Sequence, residues 1–386
     1  MISINDKHQC CGCSACAQAC PKQCISMQED EEGFLYPHVN GASCIDCGLC
    51  EKVCPCLNIS EAHDPLKVFA AVNPNDEVRM QSSSGGVFTM LAEAVINKGG
   101  VVFGARFDAD WNVRHDYTES LEGLAPFRGS KYVQSVIGDS YLKAKAFLEE
   151  GRQVLFSGTP CQIAGLNHFL RKEYDNLLAV ECVCHSVPSP GVWRSYLKEL
   201  VNAKGNTLMG IQSVNQRDKC SGWKGYSCSI SFKNGKKSIS KKDDNLWMRG
   251  FLVGLYTRPS CSNCPSKALH SYADIGLGDL WGITQLAPEI DDDKGVNIVL
   301  IHTEKGKKAL SDSLVQFAKS FSLSDVACQN LAIIKSFTIN EKRNSFYDSL
   351  NKGLPVIQVI DKNTRPPMKC RIRAILSHIK QKVLTI

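Results

Sequence analysis

Residues 10–21 read CCGCSACAQACP and residues 44–55 read CIDCGLCEKVCP, the same unit twice, offset by 34 positions. Each copy contains C-x2-C-x2-C-x3-C-P: Cys10, Cys13, Cys16, Cys20 and Pro21, then Cys44, Cys47, Cys50, Cys54 and Pro55. In this spacing three thiolates on one irregular turn face a single iron–sulfur cube. The fourth, on the short helix that follows, reaches the opposite cube. The ligand sets are therefore crossed: Cys10, Cys13, Cys16 and Cys54 hold one 4Fe-4S cluster, and Cys44, Cys47, Cys50 and Cys20 hold the other. Between the copies, CISMQEDEEGFLYPHV alternates as a hairpin does, with Gly33 at or near its turn. Cys11, Cys24 and Cys56 fall outside the repeat and read as packing thiols or as thiols behind the ligands.

The rest of the chain bears on why these thiols bind metal. Twenty cysteines occur in 386 residues, eleven of them between Cys10 and Cys56. In a small secreted protein that density means disulfides. Here MISINDKHQC has neither an apolar export core nor an Arg-rich amphipathic stretch, and the chain is long enough to bury its own core. A cytoplasmic, metal-binding protein is expected, with a two-cluster ferredoxin pattern at its start. With 43% hydrophobic and 22% charged residues it falls outside the disordered, collagenous and membrane classes, and no run approaches the ~18 apolar residues of a membrane span. The formal net charge is +6. Four-thiolate clusters are anionic and offset it, so the excess is no argument for a nucleic-acid partner.

The length suggests two or three units. The boundaries expected are 1–62 for the ferredoxin module, 66–150 and 151–330 for a larger body, and 331–386 for a helical tail, with a linker at Asp64 and Pro65. In the body, KVFAAV, VVFGARF, QVLFSG and LLAVECV read as strands. SSGGVFTMLAEAVINKGG, YLKAKAFLEEG and CQIAGLNHFLRK read as helices, the first capped by its serines. This texture predicts an α/β or α+β body with a parallel or mixed sheet. GIQSVNQR and GYSCSISFKNGKKSIS look antiparallel, turning at Asn234-Gly235, and NIVLIHTEKGKKAL reads as the last strand and helix. Ile372, Ile375, Leu376, Ile379 and Val383 share one face of a basic C-terminal helix, which docks on the body or a partner, or contacts a membrane surface.

Three further features carry chemistry. SSSGG at 82–86 places hydroxyls and backbone N–H groups before a helix, where the dipole favours a phosphate. The chain has no GxGxxG and no Walker A lysine, so an ordinary nucleotide site is unsupported. Cys261 and Cys264 form a C-x2-C that seeks two more ligands. Cys161 and Cys184, near strand ends that share one rim, could supply them. Zinc and iron–sulfur both fit that spacing. His185, beside Cys184, is a conceivable proton donor.

The succession SSSGGVFT, GSKYVQS, GTPCQIAGL, CHSVPSP, C-x2-C and ADIGLGDLWG resembles the family of coenzyme F-420 hydrogenase/dehydrogenase beta subunits, in its form with a fused N-terminal two-cluster ferredoxin. The resemblance covers roughly residues 66–330 plus the ferredoxin region. It implies a non-covalently bound FAD and a third 4Fe-4S cluster held by Cys161, Cys184, Cys261 and Cys264, selecting iron over zinc. It also implies that Ser83, Ser84, Gly85 and Gly86 meet FAD phosphate, with Lys131, Tyr132, Gly158 and Thr159 nearby. Relatives of this fused form occur in organisms lacking the deazaflavin coenzyme, often beside polysaccharide-biosynthesis genes, so the family name does not set the substrate. The expected function is an oxidoreductase coupling single-electron transfer to hydride chemistry, with ferredoxin or another redox protein and a small-molecule substrate as partners. The rival is an electron-carrier subunit that serves a partner enzyme and has no small substrate of its own.

Overall fold

The computed structural model describes residues 1–313 and 316–365; the basic C-terminal helix lies outside the described residues. Near the N-terminus, β1 (Ile25–Glu29) and β2 (Leu35–Val39) pair antiparallel, Ile25 opposite Val39 and Glu29 opposite Leu35. Asp30 closes their turn: its Oδ1 accepts from the amides of Glu32 at 3.1 Å and Phe34 at 2.8 Å. Gly33 sits there at φ +83°. In each cysteine repeat a short helix carries the third cysteine, Ala15–Ala19 and Leu49–Lys52.

The body is built on β3 (Lys67–Val72), β4 (Val101–Phe107), β5 (Val113–Thr118), β6 (Val154–Gly158), β7 (Leu177–Cys182), β11 (Ile275–Asp279), β12 (Asn297–Ile301) and β13 (Gln316–Phe321). Their order is β13-β3-β12-β11-β7-β6-β4-β5. The central strands β11, β7, β6 and β4 are parallel and the outer pairings antiparallel. The result is the mixed-sheet α/β body that the sequence predicts. Strands covered on both faces need apolar side chains on both. Val101, Phe103, Val154, Phe156, Leu177 and Ala179 enter one core, and Val102, Leu155, Leu178 and Val180 the other.

The helix Val87–Ile96 covers the second face. Ser140–Glu149 and Pro160–Leu170 cover the first, where Cys11, Cys13, Ala15 and Val53 of the ferredoxin segment join the same core. A smaller antiparallel sheet of β8 (Ile211–Asp218), β9 (Ser227–Phe232) and β10 (Lys237–Lys241) turns at Gly235, φ +81°. With the helices Pro190–Ala203, Leu246–Leu252 and Val356–Thr364 it encloses a third core around Trp193, Trp247 and Tyr256.

The hairpin tip plugs into the body. Arg343 Nη1 donates to Glu32 Oε1 at 2.8 Å, both side chains nearly buried, and Ser189 Oγ donates to the Glu32 carbonyl. A Cβ added at Gly33 would lie 2.5 Å from both Cα and N of Gly191, so the two backbones touch. Among the described residues no helix is long and apolar enough to cross a membrane.

Three local expectations differ from the structure. NIVLI is not the last strand, because QFAKSF pairs with β3 through a register shift between Phe317 and Lys319; its polar alternation is that of an edge. β5 and β11 carry weak strand signals, β5 being a polar edge and β11 holding two glycines. The serines of SSSGG do not cap the following helix. Gly86 occupies the cap position, and Asn297 Oδ1 takes the amide of Val87 at 3.2 Å.

Candidate metal centres and cofactor cleft

The short turns of the repeats bring the thiols together in two groups. Burial, and then the charges of Cys10 and Cys54, push the Cys16 thiol up to about 12. Burial pushes Cys10 up to about 11 against the pull of Arg258, with Cys54 again among its neighbours. Cys13 likewise feels Cys16 and Cys54. Cys54 thus stands with Cys10, Cys13 and Cys16. Cys20, Cys44, Cys47 and Cys50 line one small cavity of about 20 Å³, walled also by Cys24, Ile25 and Val39. Cys47 is exposed and Cys44 half-buried, so this group is the outer one. Among the described residues no three His, Cys, Asp or Glu side chains meet tightly enough for a single metal ion. The thiols surround spaces, and their chemistry fits clusters, whose negative core needs deprotonated sulfur that buried, unmetallated thiols resist.

A third gathering lies in the body. Cys161 follows β6, Cys184 follows β7, and Cys261 and Cys264 sit on the turn after Arg258. Burial, then Cys264 and Cys161, push Cys261 up to about 12. Burial, then Cys161, push Cys264 up to about 12. Cys184 is raised by burial, with Cys182, Cys261 and Cys161 as further causes, against the pull of Lys267. Cys11 lies between the groups: it shares one buried core with Cys13, and Cys161 packs against that core.

Beside this gathering opens a cleft of about 390 Å³. Ser83, Ser84, Gly86, Lys131, Tyr132, Gly158, Thr159 and His185 all line it, and so do Cys182 and Cys184. Gly85 faces the sheet instead, where a Cβ would meet the Ala71 carbonyl at 2.6 Å. The serine loop is held from beneath. Buried Lys219 donates to the carbonyls of Arg79 and Ser84, each at 2.7 Å, and of Lys294 at 2.6 Å. Ser84 Oγ donates to the Val296 carbonyl at 2.8 Å, and Ser83 Oγ accepts from the amide of Ser130 at 2.6 Å. Lys131 donates to the carbonyls of Pro126 and Arg128, and burial pulls it down to about 7. Thr159 and Gln162 form a capping box at the start of Pro160–Leu170, with Thr159 Oγ1 3.2 Å from Cys161 Sγ.

His185 packs against Phe251 and Phe337, and its Nε2 has no partner among the described residues. Burial pulls it down to about 4, so at neutral pH it offers a neutral ring and not an imidazolium.

Sequence reasoning passed over other lining residues. Arg217, its side chain 2% exposed, donates to Asp279 at 2.8 and 3.1 Å, to Tyr132 Oη at 2.9 Å and to the Ser83 carbonyl at 3.0 Å. No local signal marks it, although its partner Asp279 stands inside ADIGLGDLWG. Glu181 is the one charged residue of the otherwise apolar strand LLAVEC, next to its last residue, and that misplaced charge was a usable signal. Its Oε2 has no partner among the described residues, and burial pushes it up to about 7.

A family model for the C-terminal part of the coenzyme F420 hydrogenase/dehydrogenase beta subunit matches residues 151–319. A 4Fe-4S dicluster domain model matches residues 9–58. The F subunit of the F(420)H(2) dehydrogenase of Methanosarcina mazei is 24% identical over 311 residues, 78% of this chain and 80% of that protein. A 7Fe ferredoxin of Hydrogenibacillus schlegelii is 45% identical over 42 residues, 11% of this chain and 47% of its own length. A chain of the F420-reducing NiFe hydrogenase complex from Methanosarcina barkeri aligns at 15% identity and TM-score 0.45, covering 78% of this chain and 92% of that one. The two model matches fall on the cysteine repeats and on the strands and turn that bear Cys161, Cys184, Cys261 and Cys264, so one polypeptide carries a 4Fe-4S dicluster segment and a segment similar to the C-terminal part of coenzyme F420 hydrogenase/dehydrogenase beta subunits.

Proposed function

We propose that this chain is an iron–sulfur flavoprotein oxidoreductase that takes single electrons through three thiol-held clusters and exchanges a hydride with an organic substrate at an FAD in the cleft. A bound flavin supplies the exchange between one-electron and two-electron transfer. The observation that carries the reading is continuity. The outer thiols of Cys44 and Cys47 meet solvent, where ferredoxin or another redox protein can dock. Cys11 links the Cys13 side to Cys161, and Cys184 lines the cleft.

The cleft's own residues fit a dinucleotide with an aromatic ring. Ser83, Ser84 and Gly86 precede a ten-residue helix whose dipole favours phosphate. Arg217, paired with Asp279, donates to the Ser83 carbonyl and so holds the serine loop, while Tyr132, Tyr226 and Phe251 give flat apolar walls. Glu181 holds a proton near neutral pH within the same cleft and can give or take it when a hydride moves.

Anaerobic purification of the full chain with iron, sulfide and flavin analysis tests the reading. FAD together with more iron than two clusters hold is expected; a flavin-free protein holding two clusters overturns it. A second reading, an electron-carrier subunit without its own substrate, is favoured by the similarity to the Methanosarcina mazei protein, which is one subunit of a dehydrogenase. Turnover of a small molecule by the purified chain, in a screen that includes reduced coenzyme F420, separates the two.

A further inference from the structure

Arg258 is fully buried, yet among the described residues no carboxylate pairs with it. A buried guanidinium needs an anion or a complete set of acceptors. Nε donates to the Cys10 carbonyl at 2.8 Å, Nη1 to Gln134 Oε1 at 3.0 Å, and Nη2 to the Leu35 carbonyl at 3.0 Å. The same Nη2 donates toward Cys10 Sγ at 3.6 Å, a group that carries negative charge as a thiolate. Its plane rests on Tyr36, 4.3 Å from the ring centroid. Gln134 Nε2 donates to the Cys11 carbonyl at 2.9 Å, so the body grips the Cys10–Cys11 backbone with two side chains. Gly12 leaves room for this, since a Cβ there would lie 2.8 Å from Arg258 Nη1. Arg258 also begins the turn that carries Cys261, whose amide donates to the Arg258 carbonyl at 3.0 Å.

We infer that Arg258 is a positioning residue that raises the reduction potential of the cluster held by Cys10, Cys13, Cys16 and Cys54, by donating a charged hydrogen bond to the Cys10 thiolate. The inference rests on that ligand assignment. One electron added to a cluster increases its negative charge, and a fixed cation in a dry site stabilises the reduced form more than the oxidised one. The outer cavity lining offers no buried guanidinium: its cations are the exposed Lys22 and the N-terminal ammonium of Met1, which is already paired with Asp46 and Glu51. The inner cluster, next to the thiols of the body, therefore lies at the higher potential of the two.

The test is a potentiometric EPR titration of the anaerobically purified full chain and of its Arg258→Met and Arg258→Lys variants, with iron and sulfide measured in each. In Arg258→Met one component is expected to become at least tenfold harder to reduce, a shift of about 59 mV to lower potential for one electron. Arg258→Lys should shift it less, and the component absent from Cys44→Ser should stay in place. Unchanged potentials in iron-replete variants overturn the inference. If Arg258→Met fails to hold iron, an unchanged potential in Arg258→Lys overturns it equally. Glu32→Gln loosens the hairpin without touching Cys10, and an equal shift there would show that docking, not the guanidinium, sets the potential. A shift confined to the component that Cys10→Ser leaves intact refutes the ligand assignment instead.

Discussion

Replacing Gly33 by Ala should loosen the ferredoxin module from the body. Gly33 sits at φ +83°, and an added Cβ would lie 2.5 Å from Cα and N of Gly191, backbone atoms that cannot turn aside as a flexible side chain could. The left-handed conformation costs about 1–2 kcal/mol for an L-residue. Forcing an extra methyl into a filled contact costs about 1–3 kcal/mol more. The combined loss is about 2–5 kcal/mol, and at 1.4 kcal/mol per tenfold the population of the undocked hairpin should rise roughly thirtyfold or more. Hydrogen exchange reads that population directly where reclosing is faster than the chemical exchange step. The amides of Asp30, Gly33 and Phe34 are bonded within the turn, and Phe34 is fully buried, so a peptide spanning 29–36 reports on it. Gly205→Ala is the control: φ is +65°, with no atom within 4 Å of the new Cβ, so only the conformational cost applies and it falls elsewhere. If Gly33→Ala leaves exchange across 29–36 no faster than Gly205→Ala does, the backbone contact does not hold the module in place.

Three further outcomes are expected. Cys20→Ser should remove the EPR signal of the cluster that includes Cys44, Cys47 and Cys50; loss of the other signal would mean that the ligand sets are not crossed. Glu181 is held up at about 7, so between the ordinary carboxyl value and 7 the native state binds a proton that the unfolded chain has lost, and stability falls as pH rises through that window. Glu181→Gln should therefore gain up to about 3 kcal/mol over the wild type at pH 8 and little at pH 5; equal gains in denaturation midpoint at both pH values would contradict this. Arg217→Lys keeps the charge but loses the fork that spans Asp279 and Tyr132, so flavin should be held about tenfold more weakly, roughly 1.4 kcal/mol, at unchanged iron content. Fluorescence of flavin released on ultrafiltration measures it.

The cysteine repeats were legible because their chemistry is local. Ligand spacing along a dozen residues defines what the thiols can surround, whatever the rest of the chain does. The parallel core of β4, β6, β7 and β11 was partly legible for a related reason. Strands buried on both faces must be apolar throughout, and VVF, VLF and LLAV are. β11 escaped because two glycines dilute that signal, and the edge strands β5 and β13 escaped because a polar face is what an edge requires. The serine loop was legible as a turn before a helix that lines the cleft, but its support was not. Lys219, Asn297 and Arg217 come from more than a hundred residues away, and nothing in their own surroundings marks them.

The same distinction explains why the chain reads as modules and folds as one body. A linker at Asp64–Pro65 is visible in the sequence, and it invites the picture of a ferredoxin tethered to an enzyme. The contacts across that boundary are ones that no local pattern announces: a glycine backbone against another glycine, Glu32 on Arg343, Arg258 on the Cys10 peptide. Cys11, Cys13, Ala15 and Val53 go further and complete an apolar core whose other members are Phe103, Phe156 and Leu166. Removing the first 62 residues would uncover that core, so electron transfer between module and body has to be studied by point substitutions in the full chain. Rigid docking also has a kinetic meaning. A tethered module must search for its partner before each transfer, whereas here Cys11 and Cys13 are packed in one core with Cys161, so the spacing between the two sides is set by packing. On the proposed function, the body's grip on Cys10 and Cys11 would bear on the electron path, because the same two residues that hold the module, Arg258 and Gln134, hold the backbone of its inner thiols.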